Sequence, residues 1–324
     1  MKNKIIIPIL ASILGGAAAS AAQANQAEEW PAKPVQMIVI AGSGGGSDIT
    51  FRLLAREMEE GLSQPISVIN QAQGGGVVGM TTYVNAEPDG YTLGQLSPFA
   101  QYKLLGQADF TSDSFTPIAM VNMDPAAMTV AKDSELTDLS TIIQILKSNP
   151  SSLTISCGGT CNASWDIPFV SLMLDEGVDV TELNLIPAKG SAAALQELAS
   201  GGMDIVLSSL PETDSLRDAG MVENVAVFSD SRLDRYPNIP TVEEITGQEV
   251  TGGTWRAIGG PAGMDDTLVS KIEDKVKIAF ESDGFQNSMA DSGFGAVWMD
   301  AEQLSQFIRQ HETQTQRVLN ELSN

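Results

Sequence analysis

Residues 39–56, VIAGSGGGSDITFRLLAR, constrain this chain more than any other stretch. The apolar run at 37–40 suits a buried strand. Four glycines then surround Ser43, Ser47 and Asp48 follow as helix N-cap candidates, and 49–58 carry the spacing of a half-buried helix. Strand, glycine loop and helix start together present free backbone N–H groups at the positive end of a helix dipole, an anion site that needs no cationic side chain. Glycine suits such a loop because the backbone must approach the bound group closely, often at positive φ. A Walker loop would end in Gly-Lys-Ser/Thr, and no Lys is present; the dinucleotide fingerprint would need Gly where Ser47 stands. The pattern disfavours a nucleotide phosphate and suits a small carboxylate; taken alone it is equally an ordinary βα turn.

The arrangement recurs. After the first loop and helix come a strand at 66–70, a second loop at Gly74-Gly75-Gly76, a helix through 86, and a strand at 91–96 beyond the turn Pro88-Asp89-Gly90. From Leu153 the same order returns: a strand at 153–156, a loop at 157–162, a helix at 163–176, a strand at 182–186, a loop at 188–191, a helix at 192–200 and a strand at 204–208. Each half reads as a βαβαβ unit, which predicts an α/β protein of two parallel, doubly wound sheets. Ligands in such sheets sit beyond the carboxyl ends of the strands, so four glycine-rich helix starts are expected to converge on a cleft between two lobes. Crossings near 122 and 229 divide the chain into a discontinuous first domain, 25–122 and 230–324, and a second, 123–229. The segment at 252–261 is expected to lead into two helices, at 268–281 and 301–322.

Residues 1–24 read as a secretory signal, with Lys2 and Lys4, an apolar core at 5–19 and the small-x-small site Ala22-Gln23-Ala24. The mature chain is expected in a periplasm. A net charge of −23 argues against nucleic acid and anionic membrane surfaces as partners. In an oxidising compartment the only two cysteines, Cys157 and Cys161, are expected to form a disulfide, two free buried thiols being the other possibility. Two Cys with the single His, His311, far along the chain do not make a metal site, and no pattern calls for a cofactor.

Six motifs and an opening segment, in order, carry a family resemblance. They are GSGGGSD at 42–48, which is similar to a PGGGTD-type loop; Asn70 with Gly74-Gly75-Gly76; Pro88-Asp89-Gly90-Tyr91-Thr92-Leu93; Lys189-Gly190-Ser191; Pro237-Asn238-Ile239-Pro240-Thr241; and Pro261-Ala262-Gly263, after the opening Trp30-Pro31-Ala32-Lys33-Pro34. On these the chain resembles the periplasmic receptors of tripartite tricarboxylate transporters, the TctC or Bug family. The resemblance implies a two-lobed periplasmic binding fold of type II, capture of a small organic carboxylate, and delivery to integral-membrane transporter subunits by a monomer. Carried over position by position, it implies ligand contacts from Ser43, Gly45, Gly46, Ser47 and Asp48, from Thr160 and Ser164, and from Gly190 and Ser191. Ser97 and Ser208, at strand ends, are added as cleft candidates. The chain departs from the family at Ala188, where Tyr is common, at Ala41-Gly42-Ser43, where prolines are common, and in the Cys pair.

Several residues keep two readings. Asp48 faces the ligand or caps its own helix. Arg256 holds a carboxylate bidentately or sits in a salt bridge. Lys189 pairs with a carboxylate or is solvated, and Trp165 and Phe99 form an apolar wall or merely pack. A ligand-sensing partner of a membrane receptor would use the same cleft. An exported hydrolase is the rival class, but neither Ser156 nor Ser208-Ser209 stands in a Gly-x-Ser-x-Gly elbow, and His311, on a polar helical stretch, is expected at the surface.

Overall fold

A computed structural model describes residues 30–98, 102–103 and 106–322; the expected leader and Phe99 lie outside the described residues. Both βαβαβ units form. The first comprises β1 (Val35–Val39), α1 (Gly46–Gly61), β2 (Ile66–Asn70), α2 (Val77–Val84) and β3 (Thr92–Leu96). The chain continues through β4 (Phe115–Pro125), crosses at Ala126, and enters β5 (Ala127–Ala131) and α3 (Leu139–Ser148). The second unit follows as β6 (Ile155–Ser156), α4 (Asp166–Asp175), β7 (Leu185–Ile186), α5 (Ser191–Ala199) and β8 (Ile205–Ser208). Then come α6 (Leu210–Asp218), β9 (Val222–Val227), α7 (Val242–Thr246), β10 (Gly253–Pro261), α8 (Asp266–Phe280), α9 (Asp283–Ser292), β11 (Ala296–Met299) and α10 (Ala301–Leu322).

The sheets are mixed rather than wholly parallel. The first has the order β11-β4-β10-β3-β1-β2 and the second β7-β6-β8-β5-β9. In each, three parallel strands from the βαβαβ unit are flanked by an antiparallel neighbour, β10 beside β3 and β5 beside β8. Those neighbours enter from the opposite lobe, so they run against the strands they join. Strand β10 occupies the segment at 252–261, which the sequence marks only as leading into two helices. Its glycines hide its strand character, yet the strand is buried almost throughout, with Gly259 and Gly260 leaving room for Leu96 and Met264. Helices α6 and α9 and strand β11 were also not anticipated; they are short and weakly patterned.

Helix α1 forms because Phe51, Leu54, Ala55 and Met58 fall on one face and are buried against β1 and α8. Each large member gains about 1.5–3 kcal/mol by leaving water. A second core gathers α3, α4 and the second sheet. Val242 and the half-buried Ile245 and Val250 join this second core. The backbone rejoins the first sheet at Gly253, paired with Pro125. Helix α10 spans both lobes: Leu304 and Ile308 pack with the first, Val318 with the second.

The two crossings lie side by side. Ala126 N–H donates to Gly252 O at 2.8 Å, and Gly252 N–H donates to Phe228 O at 3.1 Å, so one hydrogen-bonded ladder passes from sheet to sheet. A Cβ on Gly253 would stand 2.1 Å from Asp124 O and 2.6 Å from Ala126 N, both backbone atoms that no rotamer change can move. Gly61, at the end of α1, has open space instead. Urea unfolding is therefore expected to separate two like substitutions. Gly253→Ala should cost about 3 kcal/mol or more, whereas Gly61→Ala should be neutral or stabilising by up to about 1 kcal/mol.

Candidate functional site

A cleft of about 580 Å³ lies between the lobes, lined by the loops that follow β1, β2 and β3 on one side and β6, β7 and β8 on the other. Gly45 is the N-cap of α1, so the helix begins two residues earlier than a Ser47 cap implied and three earlier than an Asp48 cap. Gly45, Gly46 and Ser47 line the cleft, and Ser43 and Asp48 do not. Asp48 is buried and accepts hydrogen bonds from Gly44 N–H at 2.9 Å, Arg52 Nε at 2.8 Å and Asn70 Nδ2 at 2.9 Å. Its work is to fold the loop back onto α1. Ser43 Oγ donates to Asn70 Oδ1 at 3.2 Å on the outer side.

Beneath the first loop lies a buried polar network. Arg256 on β10, 2 % exposed, donates from Nη1 to Asp124 Oδ2 at 2.6 Å and to Asn122 Oδ1, and from Nε to Ser47 Oγ at 2.9 Å. Gly295 N–H donates to the other Asp124 oxygen at 2.8 Å. Burial pushes the Asp124 carboxyl up from its usual range, while Arg256 and the Gly295 N–H pull it back. Of its two readings, Arg256 therefore takes the salt bridge, although it also lines the cleft. A Cβ on Gly46 would lie 2.5 Å from Arg256 Nη2, so this glycine is required by the protein's own guanidinium rather than by an approaching ligand.

Gln95, buried in β3, completes the network. Its Oε1 accepts from Ile40 N–H at 3.2 Å, which turns Nε2 toward Ser47 Oγ at 3.1 Å. Ser47 Oγ thus receives two N–H donors, from Gln95 and Arg256, and both lone pairs are engaged. Its proton has no acceptor among the described residues, and Ser47 lines the cleft. The hydroxyl is held as a donor toward whatever occupies that space.

The second loop, Gly74 and Gly75 at φ 61° and 64°, is pinned by Tyr102, whose hydroxyl donates to Gly75 O at 2.6 Å. Burial pushes that phenol up to about 12, so it remains a donor. Across the cleft, Thr160 Oγ1 stands 3.5 Å from Gly75 O. Thr160 belongs to the β6–α4 loop, where Cys157 and Cys161 form a disulfide. In the same loop Gly158, at φ 63°, leaves no space for a Cβ, which would fall 2.0 Å from Leu207 O. Asp166 accepts from the Asn162 and Ala163 N–H groups and fixes the start of α4, three residues later than expected. The two sulfurs and Asp166 lie close together, but bonded sulfurs offer no thiolate to a metal.

Gly190, at φ 123°, caps α5, and Ser191 is the first helical residue. The Ser191 hydroxyl donates to Gly158 O at 3.2 Å, leaving its backbone N–H for the cleft. Ser97, Thr160, Ser164 and Gly190 also line the cleft. Ser208 does not: it is fully buried, and its hydroxyl lies 3.4 Å from Ser209 O. His311 is half-buried, packed against Trp255 and Phe307 rather than at the surface, and burial lowers it to about 4. Sequence reasoning missed Gln95, Tyr102 and Glu212 as lining residues. Gln95 could have been found as a polar residue inside an apolar strand, and Glu212 as the last residue of the capping box that starts at Ser209.

Two similar α/β lobes, joined by paired crossings and enclosing a cleft at their strand ends, define a two-lobed solute-binding protein. Residues 50–323 match the family described as “Tripartite tricarboxylate transporter family receptor”, and the chain belongs to that family. A UPF0065 protein of Bordetella pertussis is 28% identical over 308 residues, covering 93% of each chain. Protein BugT of the same organism is 27% identical over 304 residues, covering 90% of each. Among solved structures, the periplasmic binding protein BugD aligns with TM-score 0.80 at 24% identity, over 91% of this chain and 99% of that one. MatC of Rhodopseudomonas palustris with bound malate aligns with TM-score 0.81 at 23% identity, over 90% of this chain and 100% of that one.

The loop-fixing role of Asp166 gives a pH-dependent signature. Burial raises its carboxyl to about 6, only partly relieved by the backbone N–H groups of Asn162, Ala163 and Asp166 itself. A carboxyl whose folded value exceeds its unfolded one stabilises most below pH 4, and that stability is lost as pH rises through 6. His311 acts oppositely, losing stability as pH falls from 6.5 toward 4, so the two slopes offset each other in the wild type. His311 cancels in a comparison of Asp166→Asn with wild type. The stability difference should move by about 2–3 kcal/mol in favour of the variant between pH 4 and pH 7, read from urea unfolding at each pH.

Proposed function

We propose that this chain is a periplasmic receptor that captures a small organic carboxylate in the interlobe cleft and delivers it to the membrane subunits of a tripartite tricarboxylate-type transporter. The observation that carries the reading is the Ser47 hydroxyl, which two buried N–H donors hold as a donor toward the cleft. The N–H of Ser191 at the opposite helix start, together with Gly190, Thr160 and Ser164, supplies further groups, so an anion is held from both lobes. Among solved relatives, MatC carries malate and a second R. palustris protein carries adipate, which supports a carboxylate. The family description supports the transporter, and the leader-like residues 1–24 support export. No described helix is long and apolar enough to cross a membrane.

The enzyme reading has less support. The cleft serines stand without an imidazole: His311, the only histidine, is on α10 beside Trp255, outside the cleft lining. We expect the protein to act as a monomer, closing its lobes about the crossings.

Arg256→Gln is a poor test of this reading, since it would strand the buried Asp124 and cost about 3–5 kcal/mol of stability. Ser47 is the better probe. In a thermal-shift screen of di-, tri- and monocarboxylates, at least one should raise the melting temperature. By calorimetry, Ser47→Ala should then weaken that ligand about ten- to hundredfold, and Ser47→Thr, which keeps the hydroxyl, should stay within a few-fold. A screen with no stabilising carboxylate, or an unchanged affinity in folded Ser47→Ala, would contradict the proposal.

A further inference from the structure

The cleft also contains a carboxylate of the protein's own. Among the described lining residues, three side chains are charged: Lys189, Arg256 and Glu212. Arg256 is neutralised by Asp124, and Lys189 is exposed. Glu212 is half-buried near the start of α6 and reaches into the opposite lobe, where its Oε1 accepts from Gly46 N–H at 3.2 Å. Its Oε2 accepts from Ser209 N–H at 3.2 Å and Ser209 Oγ at 3.0 Å, so the side chain is held by its own capping box.

This placement has two consequences. The first N–H of α1 is already taken by a carboxylate and is not available to a ligand. A carboxylate is also fixed on Gly46, the residue before Ser47, whose hydroxyl is held as a donor. The cleft therefore presents a donor and an acceptor from adjacent positions. A carboxylate on Ser47 would meet repulsion from Glu212 unless the ligand also brought a hydrogen-bond donor, or better a positive charge, on the neighbouring carbon.

We propose that Glu212 is a specificity-determining residue and that the cleft selects 2-amino carboxylates, with the ligand carboxylate on Ser47 and its ammonium on Glu212. This rests on the receptor reading above and narrows it. The zwitterion adds no net charge beside Glu212, and an ammonium gives the carboxylate a charge-assisted partner. A 2-hydroxy acid supplies the donor without the charge and ranks second; the unsubstituted acid supplies neither and ranks last.

Matched ligands test this by calorimetry: propanoate, lactate and alanine; succinate, malate and aspartate; glutarate, 2-hydroxyglutarate and glutamate. In the skeleton that binds best to wild type, the amino member should bind about tenfold or more tightly than the unsubstituted acid. Glu212→Gln removes the charge and keeps one acceptor oxygen, enough for the Ser209 N–H of the capping box while Gly46 N–H is released. It should cost the amino member about tenfold and leave the unsubstituted acid unchanged or improved. Wild-type protein that binds the unsubstituted acid as tightly as the amino acid, or a Glu212→Gln ratio equal to that of wild type, would overturn the assignment of Glu212 and leave the receptor reading intact. If none of the nine binds, the assignment is overturned; if the wider carboxylate screen is also empty, the receptor reading falls with it.

Discussion

The buried ion pair between Arg256 and Asp124 is the interaction on which the site and the crossing both depend. Removing two charges from water costs several kcal/mol per ion, which a pair repays only when its remaining hydrogen-bonding groups are also satisfied. Here Asp124 receives Arg256, Asn122 and the Gly295 N–H, and Arg256 gives Nη1 to Asp124 and Asn122 and Nε to Ser47. The pair joins β4 to β10 at the point where both strands leave the first sheet. It also explains why Gly46 lacks a side chain and why Ser47 has no freedom to turn its hydroxyl inward.

This arrangement reconciles an acidic chain with an anionic ligand. The protein carries a net charge of −23, yet Arg256, the buried cation among the described cleft residues, is paired with Asp124. Recognition then falls to backbone N–H groups and an oriented hydroxyl, whose partial charges act over short range where the lobes exclude water. Such a site reads the position of donors and acceptors, so a single carboxylate such as Glu212 changes which ligands fit.

Much of this was legible in the sequence because glycine has few uses. The loops at 42–46, 74–76 and 190 mark strand-to-helix turns, and the structure puts all of them on the cleft. The parallel core of each sheet was legible for the same reason. What escaped was set by distant partners. Arg256 had two readings because Asp124, which decides between them, is 132 positions away. Strand β10 was hidden by glycines whose purpose is to admit Leu96 and Met264. Asp48 and Ser43 looked like ligand contacts because they share the loop, but their hydrogen bonds to and from Asn70 turn both away from the cleft. Ser208 ends its strand in the right place, yet it is wholly enclosed.

The central claim is that a ligand carboxylate is held by oriented protein donors while Arg256 stays bound to Asp124. A crystal structure with a bound carboxylate tests it most directly. The account predicts a carboxylate oxygen about 2.6–3.0 Å from Ser47 Oγ, a second contact from the N–H of Ser191, and an intact pair between Arg256 and Asp124. A guanidinium swung away from Asp124 to grip the ligand with two parallel hydrogen bonds would contradict it.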